Sequence, residues 1–326
     1  MTSKVINVAI FGATGESAGA ILDGLLESTN PRFEVTALAR LSTTSKPAYQ
    51  KLALKGVKVV AVDFEGPVTE VSKALEGHDI VVASVPPTAV EAQLVLVHAA
   101  KLAGIKRFVP SAFAMAIAPS GVSSKDKIYA ELFAIGLSFT IIDVGWWYNG
   151  FVPKLPSGRT DYMMVLPEFM CNLIPGNGDT KTHVVAYNDI GRLVARIIAD
   201  PKTINKKILA SGAVMSFNEM FDIAEELSRE KTKRKYAPAE HLRSMINHFD
   251  TQLTLSPEDR TLHMGKICME YYYSSFVDGD NSPDGVARLG YVLATELYHD
   301  FQPTTFRQFF QDVLESKARV PYSDRQ

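Results

Sequence analysis

Val5-Ile6-Asn7-Val8-Ala9-Ile10-Phe11-Gly12-Ala13-Thr14-Gly15-Glu16-Ser17-Ala18-Gly19 is the stretch that decides the fold. A short apolar run rich in β-branched residues breaks at Gly12 into a glycine-punctuated turn. An amphipathic pattern follows, with Ile21, Leu22, Leu25 and Leu26 on one face, so the stretch reads as strand, tight loop, helix. Gly12 and Gly15 let the backbone turn sharply and approach a diphosphate, and the free N–H groups of the helix start offer a partly positive anion site. The spelling is GxxGxxA followed by Gly19, a variant of the dinucleotide fingerprint. Two other readings compete: a plain glycine turn between strand and helix, and the GxSxG nucleophile elbow spelled by Gly15 to Gly19, with Ser17 as nucleophile. Position argues against the elbow, because its oxyanion hole needs an earlier strand and only four residues precede this one.

The chain of 326 residues, 46% hydrophobic and 21% charged, has the composition of an ordinary globular protein large enough for one big or two moderate domains. A net charge of −2 and a pI near 6.4 provide no broad cationic field, so neither nucleic acid nor anionic lipid is an expected partner. Cys171 and Cys268 lie far apart without a CxxC, and His241, His248 and His263 form no HExxH, so no disulfide framework and no metal site is signalled. No apolar stretch reaches the ~18 residues a membrane span requires, and the first apolar run belongs to the first strand rather than to a signal segment. The expectation is a cytoplasmic protein with no membrane association, monomeric or homodimeric.

Further strands are expected over Phe33 to Ala39, Val57 to Val62, Asp79 to Ser84, Arg107 to Pro110 and Phe139 to Val144. Helices are expected over Pro67 to Gly77, Pro87 to Ala103 and Lys125 to Ile135. Strands thus recur every ~25 to 30 residues with helices between, the pattern of an α/β Rossmann-type doubly wound parallel sheet. With that context the glycine loop reads as a dinucleotide site. From Phe151 the rhythm fails, with prolines at 153, 156, 167 and 175. Residues 1–150 are therefore assigned to a dinucleotide-binding domain and 151–326 to a smaller α/β substrate domain, with the strand His183 to Tyr187 and the helix after it, about 181–200, placed to return to the main sheet. A helix over Phe217 to Ser228, a basic run from Glu230 to Lys235 and an aromatic cluster within Met264 to Phe276 complete the second half.

The diphosphate is expected against Gly12, Thr14, Gly15, Glu16, Ser17 and Ala18. The residue ending the second strand reads the ribose, and there the chain has Arg40, with Lys46 and Lys51 following. A basic group at that point accepts a 2′-phosphate, which favours NADP(H) over NAD, though which lysine assists is open. Ligands lie across the carboxyl ends of the strands, so Ser84-Val85-Pro86, Ser111-Ala112-Phe113 and the segment from Trp146 to Tyr148 are candidate contacts, with at least one tryptophan as pocket wall.

Short-chain dehydrogenases use a YxxxK pair, and no YxxxK occurs here. The corresponding region has Ser123-Ser124-Lys125-Asp126-Lys127, in which a serine N-cap would place Lys125 in a first helical turn. There the helix dipole disfavours the ammonium and helps a lysine to exchange protons. Lys127, about 200° further around the helix, cannot face the same cleft.

Gly12-Ala13-Thr14-Gly15, Arg40, Glu91-Ala92-Gln93, Ile105 to Ser111, Lys125-Asp126-Lys127 eleven residues before Gly136-Leu137-Ser138-Phe139-Thr140, Gly176-Asn177-Gly178, Asn188-Asp189-Ile190-Gly191, Asp200 to Lys206, Ser216 to Glu219 and Phe276 to Asp280 occur in one order along the chain. In these the sequence resembles the isoflavone reductase and phenylcoumaran benzylic ether reductase group, within the NmrA-like atypical short-chain dehydrogenases. The resemblance implies NADPH as cofactor, the lysine matching Lys125 as catalytic acid/base, and reduction of an aromatic, phenylpropanoid-like or polyketide-like substrate at a conjugated or benzylic carbon. Lys125 and Trp146 are accordingly expected to touch the cofactor as well, and Phe113, Trp146, Trp147, Tyr148, Phe151, Tyr272 and Tyr273 to wall the substrate. The chain departs from the group's pattern at Ala112 and Ala114, where an acidic residue and a glycine are usual, in a shortened 114–123 loop, and at Tyr273, where some members have histidine. Two alternatives stand beside the reductase: an isomerase or cyclase that binds NADPH without net redox, and a regulatory protein that senses the nicotinamide ratio.

Overall fold

The computed structural model describes residues 5–118, 124–164 and 166–320. Strands and helices alternate through β1 (Val5–Phe11), α1 (Glu16–Glu27), β2 (Arg32–Arg40), α2 (Pro47–Leu54), β3 (Lys58–Val62), α3 (Val68–Leu75), β4 (Ile80–Ala83), α4 (Leu94–Leu102), β5 (Arg107–Val109), α5 (Ser124–Ala134) and β6 (Thr140–Asp143). The first five strands form a parallel sheet in the order β3-β2-β1-β4-β5. Val8, Ile10, Ala37, Val82 and Val109 bury one face of that sheet beneath α1, and Ala9, Phe11, Leu38, Val81, Ala83 and Phe108 bury the other beneath α3, α4 and α5. Strands covered on both sides read as continuous apolar runs, which is why they were legible. The order reverses between β1 and β4, and the crevice at such a switch point is where open α/β sheets bind ligands.

The second half contributes β7 (Trp146–Trp147), β8 (Leu173–Pro175), β9 (Thr182–Val185), α6 (Tyr187–Ala199), β10 (Lys206–Leu209), β11 (Ala213–Met215), α7 (Phe217–Ser228), β12 (Lys235–Ala237), α8 (Ala239–Leu255), α9 (Arg260–Tyr273), α10 (Pro283–Arg288), β13 (Val292–Leu293), α11 (Ala294–Leu297) and α12 (Phe306–Leu314). A bridge from Phe108 to Phe139 carries the main sheet on to β6, beside which β10 and then β13 lie parallel. The strand expected at 183–187 ends at Val185 and pairs with β7 and β11 in a separate small sheet. What packs back on the main unit is α6, against α1, together with β10. A third core, built on Tyr148, Phe151, Phe217, Tyr272 and Phe276, lies under α7, α9 and α12. No described helix is long and apolar enough to cross a membrane.

The expected helix from Pro87 to Ala103 is in fact a tight 3-10 turn over Pro87–Gln93 followed by α4. The break serves Gln93, which is fully buried. Its Nε2 donates to Val90 O (3.0 Å) and its Oε1 accepts from Ser111 N (2.7 Å).

Candidate active site

At the end of β1, Gly12 has φ +78°, and a Cβ there would lie 1.9 Å from Ser84 O. Only glycine fits, because Ser84 N donates to Phe11 O (2.8 Å) and draws the two strand tips together. Gly15 N closes the turn on Gly12 O (2.9 Å), and Gly15 then stands at the N-cap of α1. Having no side chain, it leaves the first amides of the helix for an anion.

A groove runs from this loop in two directions. Towards β2 it is lined by Thr14, Gly15, Arg40, Thr43, Lys46, Ser84, Val85 and Pro86. Arg40 ends β2 with its guanidinium carbon 5.9 Å from the Phe11 ring centroid, and Lys46 caps α2 across the opening. Two cations at the end of a groove that begins at a helix N-terminus suit a dinucleotide with a phosphorylated ribose. Lys51 does not share this groove. It lies on the other side of the loop with Asp23, Lys55 and Arg319, so of the two lysines the geometry brings Lys46 to Arg40.

In the other direction the cleft is lined by Gly15, Glu16, Ser17, Ser84 to Pro87, Ser111 to Ala114, Lys125, Trp147, Met264 and Tyr271. Ser111 braces two strand tips, its Oγ donating to Val85 O and accepting from Val85 N, both at 3.0 Å. Phe113 holds φ +40°, an unusual backbone for a bulky residue, with its N bonded to Ile142 O (2.9 Å). Ala114 O receives Val144 N and Gly145 N, which presses the 112–114 strip against the end of β6. Lys125, in the first turn of α5, is half-buried in the cleft wall, whereas Lys127 is exposed and paired with Glu91 (2.6 Å). Ser123 lies outside the described residues, as does the side chain of Ser124.

Behind the wall is a carboxylate that sequence reasoning missed. Asp143 ends β6 almost wholly buried, its Oδ2 accepting from Tyr291 OH (2.6 Å), and among the described residues its Oδ1 has no hydrogen-bond partner. Burial raises its pKa, and the Lys125 ammonium opposes that rise. Burial likewise holds the Tyr129 phenol up, assisted by the Asp143 charge. An acid closing an otherwise apolar strand was the available signal.

The packing places several of the expected contacts away from the cleft. Ala18 is completely buried inside α1's core face. Tyr148, Phe151 and Tyr272 are no more than 2% exposed and form the third core. Trp146 joins them, its Nε1 donating to Ser275 Oγ (3.0 Å) and its ring 5.3 Å from Tyr272. Tyr273 pairs instead with Arg243, whose guanidinium carbon is 4.3 Å from the ring. Of the expected aromatic wall, Trp147 and Phe113 line the cleft.

The physical reason is periodicity. Successive residues of a strand face opposite ways, so of the two tryptophans in β7 one enters the core and the other the cleft. Successive helical residues differ by ~100°, so Tyr271, Tyr272 and Tyr273 point to cleft, core and Arg243 respectively. Met264 and Tyr271, missed as site residues, share a helix face at a spacing of seven, which was the signal that could have found them. Among the described residues no cluster of three or more His, Cys, Asp or Glu is placed to hold a metal ion.

A parallel α/β sheet, a glycine loop at its switch point and a lysine across the cleft define a dinucleotide-binding protein of the Rossmann class. The NmrA-like family model matches residues 4–310, and the chain belongs to that family. It is 35% identical over 319 residues to the asnovolin J 5′,6′-dehydrogenase of Aspergillus novofumigatus, covering 96% of this chain and 97% of that protein. It is 28% identical over 323 residues to a phenylcoumaran benzylic ether reductase of Betula pendula, covering 94% and 98%. The same fold is seen in the NADPH complex of leucoanthocyanidin reductase from Vitis vinifera, with a TM-score of 0.75, 22% identity and coverage of 95% and 99%. It is seen again in the structure titled AtPrR2 with NADP+ and (+)pinoresinol, with a TM-score of 0.76, 21% identity and coverage of 96% and 100%.

Proposed function

We propose that this protein is an NADPH-dependent oxidoreductase acting on a small aromatic or conjugated, phenylpropanoid- or polyketide-like substrate, with Lys125 as general acid/base. The observation that carries the reading is a pair of adjoining clefts that share Gly15, Ser84, Val85 and Pro86 at the bare start of α1, one lined by Arg40 and Lys46 and the other by Lys125, Trp147, Met264 and Tyr271. The resident group would be held by the amides of α1 and by Arg40 and Lys46, and when bound it supplies or takes up a hydride. Trp147, Phe113, Met264 and Tyr271 offer a flat, water-poor surface to a planar substrate. The Lys125 amine then gives a proton to, or takes one from, an oxygen conjugated with the carbon that changes oxidation state. The buried Asp143 carboxylate behind it attracts that amine electrostatically. The relatives named as reductases and dehydrogenase support either direction of hydride transfer on this scaffold.

The test is turnover of conjugated ketones and quinone methides with NADPH, and of their saturated counterparts with NADP+. Lys125→Met should lower kcat at least about a hundredfold while leaving NADPH affinity within about twofold. Arg40→Glu should raise the Kd for NADPH at least tenfold and leave that for NADH little changed. Product formed with no change in nicotinamide absorbance would replace the reductase with an isomerase or cyclase. Tight ratio-dependent NADP(H) binding with no product would make the protein a sensor.

A further inference from the structure

Glu16 is the first residue of α1, next to the amides offered to the cofactor's diphosphate, and its side chain is only 6% exposed. A carboxylate at a helix start is attracted by the same N–H groups that bind a phosphate, so it competes with an incoming anion as well as repelling it. In this structure it is engaged elsewhere. Arg319, from the chain beyond α12, forms an ion pair with the Glu16 carboxylate. The Arg319 guanidinium carbon lies 4.2 Å from the ring centroid of Tyr187, and Tyr187 OH donates to Glu16 O (3.1 Å). Arg319, Glu16, Thr14 and Gly15 thus line one groove, on the side of the loop away from Arg40.

We propose that Arg319 is a positioning residue for the cofactor: by pairing with the Glu16 carboxylate while stacked on Tyr187 it leaves the first amides of α1 to the diphosphate and cancels the charge that would face it. The inference rests on NADPH lying along the cleft as proposed above, and it needs no turnover. It explains a feature the glycine loop alone does not, an acid placed where an anion must bind. It also gives the far end of the chain, more than three hundred residues from the loop, a role in cofactor affinity.

The test is a double-mutant cycle read by NADPH fluorescence on the full-length chain. Arg319→Ala should raise the Kd for NADPH about tenfold, the size expected for exposing one unit charge at a half-buried anion site. Glu16→Gln alone should change it no more than about twofold, and Glu16→Gln combined with Arg319→Ala should return it to within about twofold of Glu16→Gln. Adenosine 2′-phosphate, which lacks the diphosphate, should bind wild type and Arg319→Ala alike. If Arg319→Ala leaves NADPH affinity unchanged, the proposal is wrong. A double variant as weak as Arg319→Ala also overturns it, because Arg319 would then touch the phosphate directly or serve only to fold the segment that carries it. Loss of adenosine 2′-phosphate binding in Arg319→Ala overturns it likewise. Failure of NADPH to bind the wild type would instead remove the cofactor assignment itself.

Discussion

His183 shows how a single buried group sets a pH limit. It is 3% exposed in β9, with Nδ1 2.8 Å from Ser211 Oγ and Nε2 lacking a hydrogen-bond partner among the described residues. Burial without a carboxylate beside it pushes its pKa down to about 4. The unfolded chain therefore binds the proton first, so stability is intact above about pH 6.5 and falls as the pH drops towards 4. Wild type should lose about 3 kcal/mol over that window from this residue, and His183→Gln should lose markedly less, as measured by urea unfolding at pH 7 and pH 4.5. Residue-scale chemistry was partly legible beforehand. Lys125 and Arg40 were singled out by their position at a helix start or after a strand, and both line the cleft. Asp143 was not, because an acid closing an apolar strand marks the position without showing what lies across from it.

At the scale of elements, α1 and α6 meet at backbone contact. A Cβ on Gly191 would lie 1.8 Å from Ala20 O, and one on Gly24 would lie 2.1 Å from the Gly191 carbonyl carbon. Gly191→Ala should therefore cost about 3 kcal/mol or more, seen as a lower urea midpoint with unchanged slope. It should also weaken NADPH binding, because α1 carries the proposed anion site. The sequence showed nothing of their meeting, since a pairing 167 positions apart leaves no local periodic trace. Other elements could have been read further. Leu242, Met245, Ile246 and Phe249 have the spacing of a helical face, and α8 is the helix they belong to. The interruption before α4 could not be read, because it exists to bring Gln93 to Ser111.

Across the whole molecule, a buried guanidinium joins the first half of the sheet to the chain that returns to it. Arg107 in β5 is 4% exposed, its Nη1 donating to Ile197 O and Ile198 O (both 2.9 Å) and to Thr203 Oγ1 (3.1 Å), its Nη2 to Asp200 O (2.8 Å). These acceptors lie at the end of α6 and just beyond it, where a cation is also favoured by the helix dipole. Arg107→Met should strand those groups and cost about 2–4 kcal/mol, and Arg107→Lys should recover only part of it, because an ammonium lacks the fork that serves several carbonyls at once. Chemical denaturation of both variants measures the difference. By itself the sequence determined the parallel α/β sheet and the glycine turn at its first strand, and it singled out Arg40 and Lys125 as candidates, because each is written in local periodicity, glycine placement or strand-end position. Tertiary structure alone decided which aromatics wall the cleft and which fill the core, that Asp143 backs Lys125, and that Arg319 meets Glu16. The reason is that side-chain direction and pairings between distant segments are settled by how apolar faces pack together, and no window of the sequence contains both sides of such a contact.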